Sequence, residues 1–311
     1  MATMSSVERL SEALKSALGP DLVRLNRPLS RYTTLRVGGP ADLLVEARSV
    51  VALVQSVEIS RELDVPCRVL GSGANVLVSD AGVRGLVVLN RAKSVDRVPE
   101  GIRAESGAAL AVVARQCVRA GLAGLEWAVG IPGTVGGAVI GNAGANGGCV
   151  ADGLQSAAVL GPQGTVTEWP VERFGYGYRT SALKYQPPDA GPQSIVLSAL
   201  FRLEPADQGM LATRVAGFLA QRAATQPPGA SCGSVFRNPP GDYAGRLIEA
   251  AGLKGTQFGG AQISTVHANF IINLAEANAA SVKALIDRAR EQVWSRFGVR
   301  LELEVELVGD W

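Results

Sequence analysis

Apolar and polar positions along this chain follow two periods, and the switches between them mark out its elements. Leu10, Leu14, Ala17 and Leu18 recur at helical spacing behind Ser5 and Glu8, which stand in capping-box positions. Gly19-Pro20 stops that helix. Ser49 caps a second helix reaching about residue 63, and a third is expected from about 110 to 119, ending at Gly121. Runs rich in β-branched and apolar residues predict strands over 42–47, 67–70, 76–78, 86–90 and 102–104. Further strands are expected at 154–160, 166–169 and 195–203.

Pro205 changes the texture. Helices are expected over 207–224, 243–251 and 281–297, with a strand at 269–273 between the last two. A strand over 300–308 closes the chain, where LELEVEL alternates with period two and sets Glu302, Glu304 and Glu306 on one face. This pattern predicts a mixed α+β unit on each side of a boundary near residue 204.

One stretch follows neither period. Residues 130–148 read GIPGTVGGAVIGNAGANGG, with eight glycines in nineteen positions. No charge occurs from Trp127 to Ala151. So much glycine argues against a core strand or a stable helix. Ile131, Val135, Val139 and Ile140 argue against a plain linker. A loop whose bare amides can approach phosphate oxygens or a flat ring system is the expectation.

Composition narrows the classes. At 311 residues the length suits two or three domains, and 47% hydrophobic with 19% charged residues suits a large buried core. A net charge of +2 gives no reason to expect nucleic acid or an anionic membrane as partner. No apolar run reaches the ~20 residues of a membrane span. The first nineteen residues form a charged amphipathic helix rather than a signal peptide, which points to the cytoplasm. Cys67, Cys117, Cys149 and Cys232 are widely separated with no CxxC pair, so reduced thiols are expected and a metal site is not.

Several short motifs carry chemistry. GSGAN at 71–75 follows a strand but lacks the third glycine and the following helix of a dinucleotide fingerprint. It reads equally as a phosphate-cradling turn or a tight strand-to-strand turn. Arg179, in YGYRTS, can meet a planar anion or lie as a surface arginine along Tyr176 or Tyr178. SCGSVFRNPP holds Cys232 and Ser234, and the chain's single histidine, His267, stands in STVHANFIIN. A nucleophile needs a base in reach, whereas a hydroxyl proton donor does not. His267 suits a polar substrate contact or a satisfied strand-edge position.

These motifs occur together and in order. PLSRYTTLRVGGPAD, LGSGANVLVSD, the glycine-rich stretch, YGYRTS, SCGSVFRNP, GGAQIS-x-x-HANFIIN and LELEVELVG resemble the UDP-N-acetylenolpyruvoylglucosamine reductase family over about residues 26–309. The short connection after Arg179 resembles the shorter-chain subclass. The resemblance implies an α+β protein with an FAD-binding fold of the vanillyl-alcohol-oxidase (PCMH) type in two lobes, over 1–204. It implies a UDP-sugar domain over 205–299 and a terminal strand, 300–311, that returns to the FAD domain. FAD would be held non-covalently, since the family lacks a flavin-linked histidine and the first half of this chain has none.

Residue by residue, the resemblance implies flavin contacts at Gly71, Ser72, Gly73, Ala74, Asn75 and Val76. It implies a second set at Ile131, Pro132, Gly133, Thr134, Gly136, Gly137, Asn142, Gly144 and Ala145. Ser234 would protonate the substrate, and Arg179 and Glu304 would polarise its carboxylate. Tyr178, Asn238, His267, Arg222 and Arg246 match or suit substrate contacts. The family often has a lysine or arginine where this chain has Thr225, so the substrate diphosphate is expected to lean on Arg222, Arg237 or Arg246. The implied reaction is a ping-pong reduction: NADPH reduces FAD, and UDP-N-acetylenolpyruvoylglucosamine is then reduced to UDP-N-acetylmuramate. The chain is read as a monomer.

Two readings from other classes compete. A flavin- or nucleotide-binding module without turnover would keep the glycine loops but need no Ser234, Arg179 or Glu304. A hydrolase would use Cys232 or Ser234 as nucleophile.

Overall fold

The computed structural model describes residues 4–184 and 193–311. The chain divides into two compact units. The first comprises residues up to Arg24 with Leu43–Ser72 and Gly85–Arg222; the second comprises Leu25–Asp42, Gly73–Arg84 and Ala223–Trp311. Each unit is therefore assembled from three separated segments.

In the first unit, helix Ser6–Leu18 starts as its sequence predicts. The Ser5 hydroxyl accepts from the Glu8 N–H at 3.2 Å, and the Glu8 carboxylate takes the Ser5 N–H at 2.7 Å. Leu10 and Leu14 from this helix, Leu53 and Val57 from helix Val50–Glu62, and Leu43, Val45, Leu86 and Val88 from strands fill one core. Strand Cys67–Leu70 pairs in parallel with strand Val83–Asn90, Cys67 opposite Leu86 and Leu70 opposite Leu89.

A five-stranded antiparallel sheet carries the second core of this unit. Its order is Val166–Pro170, Leu154–Leu160, Ile195–Arg202, Gly101–Glu105, Val95–Val98. Inward-facing Ala157, Val159, Ala199 and Phe201 pack with Leu110, Val113 and Cys117 of helix Leu110–Arg119.

The second unit holds a four-stranded antiparallel sheet, order Ala230–Ser234, Phe270–Asn273, Ala261–Ile263, Gln257–Phe258. Helices Ala244–Ala250 and Ala279–Phe297 share its core through Leu247, Ile248, Val282, Leu285 and Ile286. Asp80 caps the longer of these helices, its carboxylate oxygens accepting from the N–H groups of Ala279 at 2.8 Å and Ala280 at 2.9 Å. Strand Glu306–Val308 pairs in parallel with strand Val76–Val78.

Two expectations are corrected. Within the glycine-rich stretch, Val135–Gly141 is an α-helix of seven residues. Val135, Ala138 and Val139 are buried, so core packing outweighs the poor helix propensity of its glycines. The alternating LELEVEL segment is not one long strand, since ladder pairing covers only Glu306–Val308. Leu301, Val305 and Val308 are buried, a spacing that breaks period two. The physical cause is a carbonyl from a distant part of the chain. The Val235 carbonyl accepts from the N–H of Glu304 at 2.9 Å and of Val305 at 3.3 Å, which bends the chain out of strand geometry. Glu302, Glu304 and Glu306 therefore do not line one regular face.

Candidate functional site

The glycine-rich stretch gathers the first unit's site residues. Thr134 is the extended cap of helix Val135–Gly141, and Asn142 ends it in left-handed geometry at φ 43°. Gly71 belongs against Thr134: a Cβ there would run into the threonine hydroxyl. Gly136 lets the helix lie on Ser106, whose Cβ would be 2.9 Å from an added methyl. In front of Gly133 and Gly141 no atom stands within 4 Å of an added Cβ, so these positions present bare backbone. The Ser72 hydroxyl is buried with no hydrogen-bond partner within the protein. A buried hydroxyl without a partner beside glycine-lined backbone suits a ligand rich in acceptors, and FAD is such a ligand. The Arg91 guanidinium, which the sequence did not single out, donates to the Gly71 carbonyl at 3.1 Å and fixes that turn.

Arg179 is strapped to the same helix. The Tyr176 hydroxyl donates to the Val139 carbonyl at 2.9 Å, and the Ser181 hydroxyl to the Ile140 carbonyl at 2.6 Å. Asn142 Nδ2 donates to the Gly177 carbonyl at 3.0 Å. Gly177 and Thr180 bridge across a two-residue turn made of Tyr178 and Arg179. Arg179 sits there at φ 55°, a region that costs a side-chain-bearing residue energy and marks positions where placement matters. Lys184 Nζ donates to its carbonyl at 2.8 Å, and its guanidinium carbon lies 5.9 Å from the exposed Tyr178 ring. Burial pushes the Tyr176 hydroxyl above its ordinary pKa, so it stays a neutral donor. Arg222, on helix Gln208–Thr225, lies against the start of the stretch: its Cδ would be 2.9 Å from a Cβ at Gly130.

In the second unit, Gly73, Asn75 and Val76 join the turn to the C-terminal segment. Gly73, at φ 62°, accepts at its carbonyl from the Thr34 N–H at 3.1 Å. The Thr34 hydroxyl donates to the Ser231 carbonyl at 2.7 Å, which ties this turn to the serine-bearing strand. Asn75 Nδ2 donates to the Glu304 carbonyl at 2.9 Å.

Ser234 ends strand Ala230–Ser234 opposite Phe270, after a register shift that follows Ser231 and includes Gly233 at φ 78°. The shift is a bulge over Cys232 and Gly233, and it resets the register in which Ser234 meets Phe270. The next residue, Val235, accepts from the Glu304 N–H, so Ser234 and Glu304 are brought together through one backbone junction. Cys232 is different. It is 2% exposed, and burial pushes its thiol up to about 12, which leaves no thiolate for nucleophilic work near neutral pH.

His267 and Asn238 flank the start of helix Ala244–Ala250. The Asn238 Oδ1 accepts from the Ala244 N–H at 3.1 Å, which leaves its Nδ2 as the donor to offer. His267 Nδ1 accepts from the Asn269 N–H at 3.1 Å, so the neutral ring carries its proton on Nε2. Gly245 makes room for that ring, since a Cβ there would be 2.8 Å from His267 Cε1. Burial, reinforced by the charge of Lys254, lowers the His267 pKa. Arg246 Nε donates to Asp242 Oδ1 at 2.6 Å and its Nη2 pairs with Asp242 Oδ2, so this guanidinium is engaged within its own helix turn. Arg237 Nη1 lies 4.0 Å from Glu302 Oε2, and its side chain is 14% exposed. Among the described residues no cluster of His, Cys, Asp and Glu could hold a metal ion, and no helix is long and apolar enough to cross a membrane.

Known proteins carry the same pattern. Residues 41–169 match an FAD-binding domain, and residues 224–308 match the C-terminal domain of UDP-N-acetylenolpyruvoylglucosamine reductase. A UDP-N-acetylenolpyruvoylglucosamine reductase from Symbiobacterium thermophilum is 44% identical over 96% of this chain and 97% of its own. One from Rubrobacter xylanophilus is 46% identical over 92% of this chain and 95% of its own. The crystal structure of the reductase from Thermus caldophilus superposes with a TM-score of 0.78 at 37% identity, covering 92% of this chain and 99% of that one.

Proposed function

The chain belongs to the UDP-N-acetylenolpyruvoylglucosamine reductase family, as an FAD-dependent oxidoreductase acting on a peptidoglycan precursor, and from that premise we propose how its residues divide the work. Ser234 is the proton donor, and Arg179 and Glu304 polarise the substrate carboxylate. One observation carries this reading: Val235 follows Ser234 and takes the Glu304 N–H, so a hydroxyl and a carboxyl issue from a single junction. The strained turn that presents Arg179 supports its share.

Bound at these residues, the flavin in its reduced form would supply the hydride that the terminal carbon of the enolpyruvyl double bond accepts. Charge then collects on the carboxylate side of the substrate. The planar guanidinium of Arg179 and the carboxyl of Glu304 stabilise it as it develops. The Ser234 hydroxyl delivers a proton to the adjacent carbon, which completes the saturated lactyl ether.

Gly71, Ser72, Gly73, Ala74, Asn75 and Val76, with Ile131, Pro132, Gly133, Thr134, Gly136, Gly137, Asn142, Gly144 and Ala145, hold the flavin non-covalently. The orphaned Ser72 hydroxyl supports that assignment. His267 offers Nε2–H, Asn238 offers Nδ2 and Tyr178 an exposed ring to the nucleotide sugar. Arg222 is preferred over Arg246 for the diphosphate, because Asp242 already engages Arg246. Residues 1–204 form the FAD-binding domain, 205–299 the UDP-sugar domain and 300–311 the returning segment; the match at 41–169 supports the first of these, while the match at 224–308 runs across the 299/300 boundary. NADPH is the reductant, and the enzyme works as a cytoplasmic monomer.

The test is optical. Purified protein is yellow, bleaches anaerobically with NADPH, and regains its colour when UDP-N-acetylenolpyruvoylglucosamine is added. Bleaching by NADPH without recovery on that sugar would overturn the substrate assignment. A hydrolase built on Cys232 predicts colourless protein inactivated by alkylation, and the buried thiol argues against it.

A further inference from the structure

We propose that Asn269 is a positioning residue that holds the Ser234–Phe236 segment, and through it Glu304, in working geometry; this rests on the reading of Ser234 as proton donor. Asn269 is 4% exposed. Its side chain makes both hydrogen bonds that a neighbouring strand would make to Phe236. The Phe236 N–H donates to Asn269 Oδ1 at 2.9 Å, and Asn269 Nδ2 donates to the Phe236 carbonyl at 2.8 Å. The Asn269 carbonyl also accepts from the Val235 N–H at 2.8 Å.

The need for this clamp follows from the bulge. After Ser234 the chain leaves the sheet, and Phe236 bridges to Leu303 on its other edge. There the Arg237 N–H donates to the Glu302 carbonyl and the Glu304 N–H to the Val235 carbonyl, each at 2.9 Å. Phe236 itself is 2% exposed, so without Asn269 its N–H and carbonyl would face the core unpaired. A buried unpaired backbone group is costly, and the segment would shift to satisfy it. Because Val235 joins Ser234 to Glu304, that shift displaces both groups at once. Only a side chain with a donor and an acceptor set as in a peptide can close both bonds, and asparagine has that geometry. The Asn269 N–H on His267 Nδ1 extends the same frame to the nucleotide-sugar contact.

The experiment uses the holoenzyme with its flavin reduced photochemically, so that only reoxidation by UDP-N-acetylenolpyruvoylglucosamine is read. Asn269→Ala is expected to slow reoxidation on the order of 10²-fold, the effect of a misplaced catalytic group. Amide hydrogen exchange across residues 235–237 is expected to quicken in the same protein. Asn269→Asp keeps the volume and the acceptor but loses the donor, and falls between. Combined with Ser234→Ala, Asn269→Ala slows reoxidation by less than it does alone, because one of the two groups it positions is already gone. Wild-type reoxidation in both Asn269 variants, with Ser234→Ala slow, overturns the positioning role alone. Wild-type reoxidation in Ser234→Ala overturns the reading beneath it. Loss of flavin from both Asn269 variants assigns Asn269 to folding and overturns the proposal as well.

Discussion

The side-chain amide of Asn75 donates to the main-chain carbonyl of Glu304 at 2.9 Å, and the Asn75 carbonyl accepts from the Glu306 N–H at 3.0 Å. A residue on the glycine turn thus fixes the backbone of the proposed catalytic carboxyl. The link predicts an order of damage. Asn75→Ala removes the side-chain bond and costs at most about 1 kcal/mol, since the bond is solvent-accessible. Asn75→Asp is worse, because a carboxylate has no N–H to give and turns an anion toward the Glu304 carbonyl. Thermal denaturation with turnover measurements checks this, and equal behaviour of the two variants would count against the link.

Glu304 is expected to tolerate an amide better than truncation. Glu304→Gln still offers an N–H to the charge that develops on the substrate carboxylate, whereas Glu304→Ala offers nothing. The measurement is kcat in each variant. Removing a positioned donor typically costs ~10²–10³ in rate, so the alanine variant falls by that order and the glutamine variant by less. Equal losses would show that Glu304 does not act as a hydrogen-bond donor.

Arg179 separates stability from activity. Arg179→Lys keeps the charge but loses the paired planar contact with a carboxylate, and most activity goes with it. Arg179→Gly also loses activity, yet its Tm holds or rises, because glycine adopts φ 55° without a Cβ penalty. A fall of several degrees in Arg179→Gly would mean that the side chain holds the turn rather than serving the substrate.

His267 gives a clean titration because it is the chain's single histidine. Its folded pKa is lowered, first by burial and then by Lys254, from an unfolded value of about 6.5. The unfolded chain therefore binds its proton first as pH falls. The stability held above pH ~6.5 drains away below it, down to the lowered folded pKa. Unfolding midpoints between pH 5 and 8 should show this slope, and His267→Gln should flatten it. A slope unchanged in that variant would assign it to other groups.

Much of the architecture was legible because it is local. The Ser5–Glu8 box and the Ser49 cap each depend on neighbours a few residues away, which is where capping rules apply. The helix at Val135–Gly141 was not, because its stability comes from burying Val135, Ala138 and Val139 rather than from propensity. The 300–308 segment alternates convincingly, yet the Val235 carbonyl reaches it from about seventy residues away and bends it. Asn269 was passed over for a similar reason. Nothing near HANFIIN announces that its amide serves Phe236, and only the bulge at Ser231–Ser234 creates that demand. The motifs pointed to Ser234, Arg179 and Glu304 through resemblance, while the groups that hold them in place lie outside any short pattern.

The parallel pairing of Val76–Val78 with Glu306–Val308 also has a consequence for synthesis. Residues 76 and 306 lie 230 positions apart, and at roughly 5–20 residues per second the partner strand follows on the order of 10–50 s later. Until it emerges, the strand after the glycine turn has no parallel neighbour, and Asn75 has neither Glu304 nor Glu306 to hold. The nascent chain therefore waits with this edge open, exposed to chaperones and proteases. Of the proposed flavin contacts, Asn75 and Val76 therefore reach their final backbone pairing only once residue 306 has emerged.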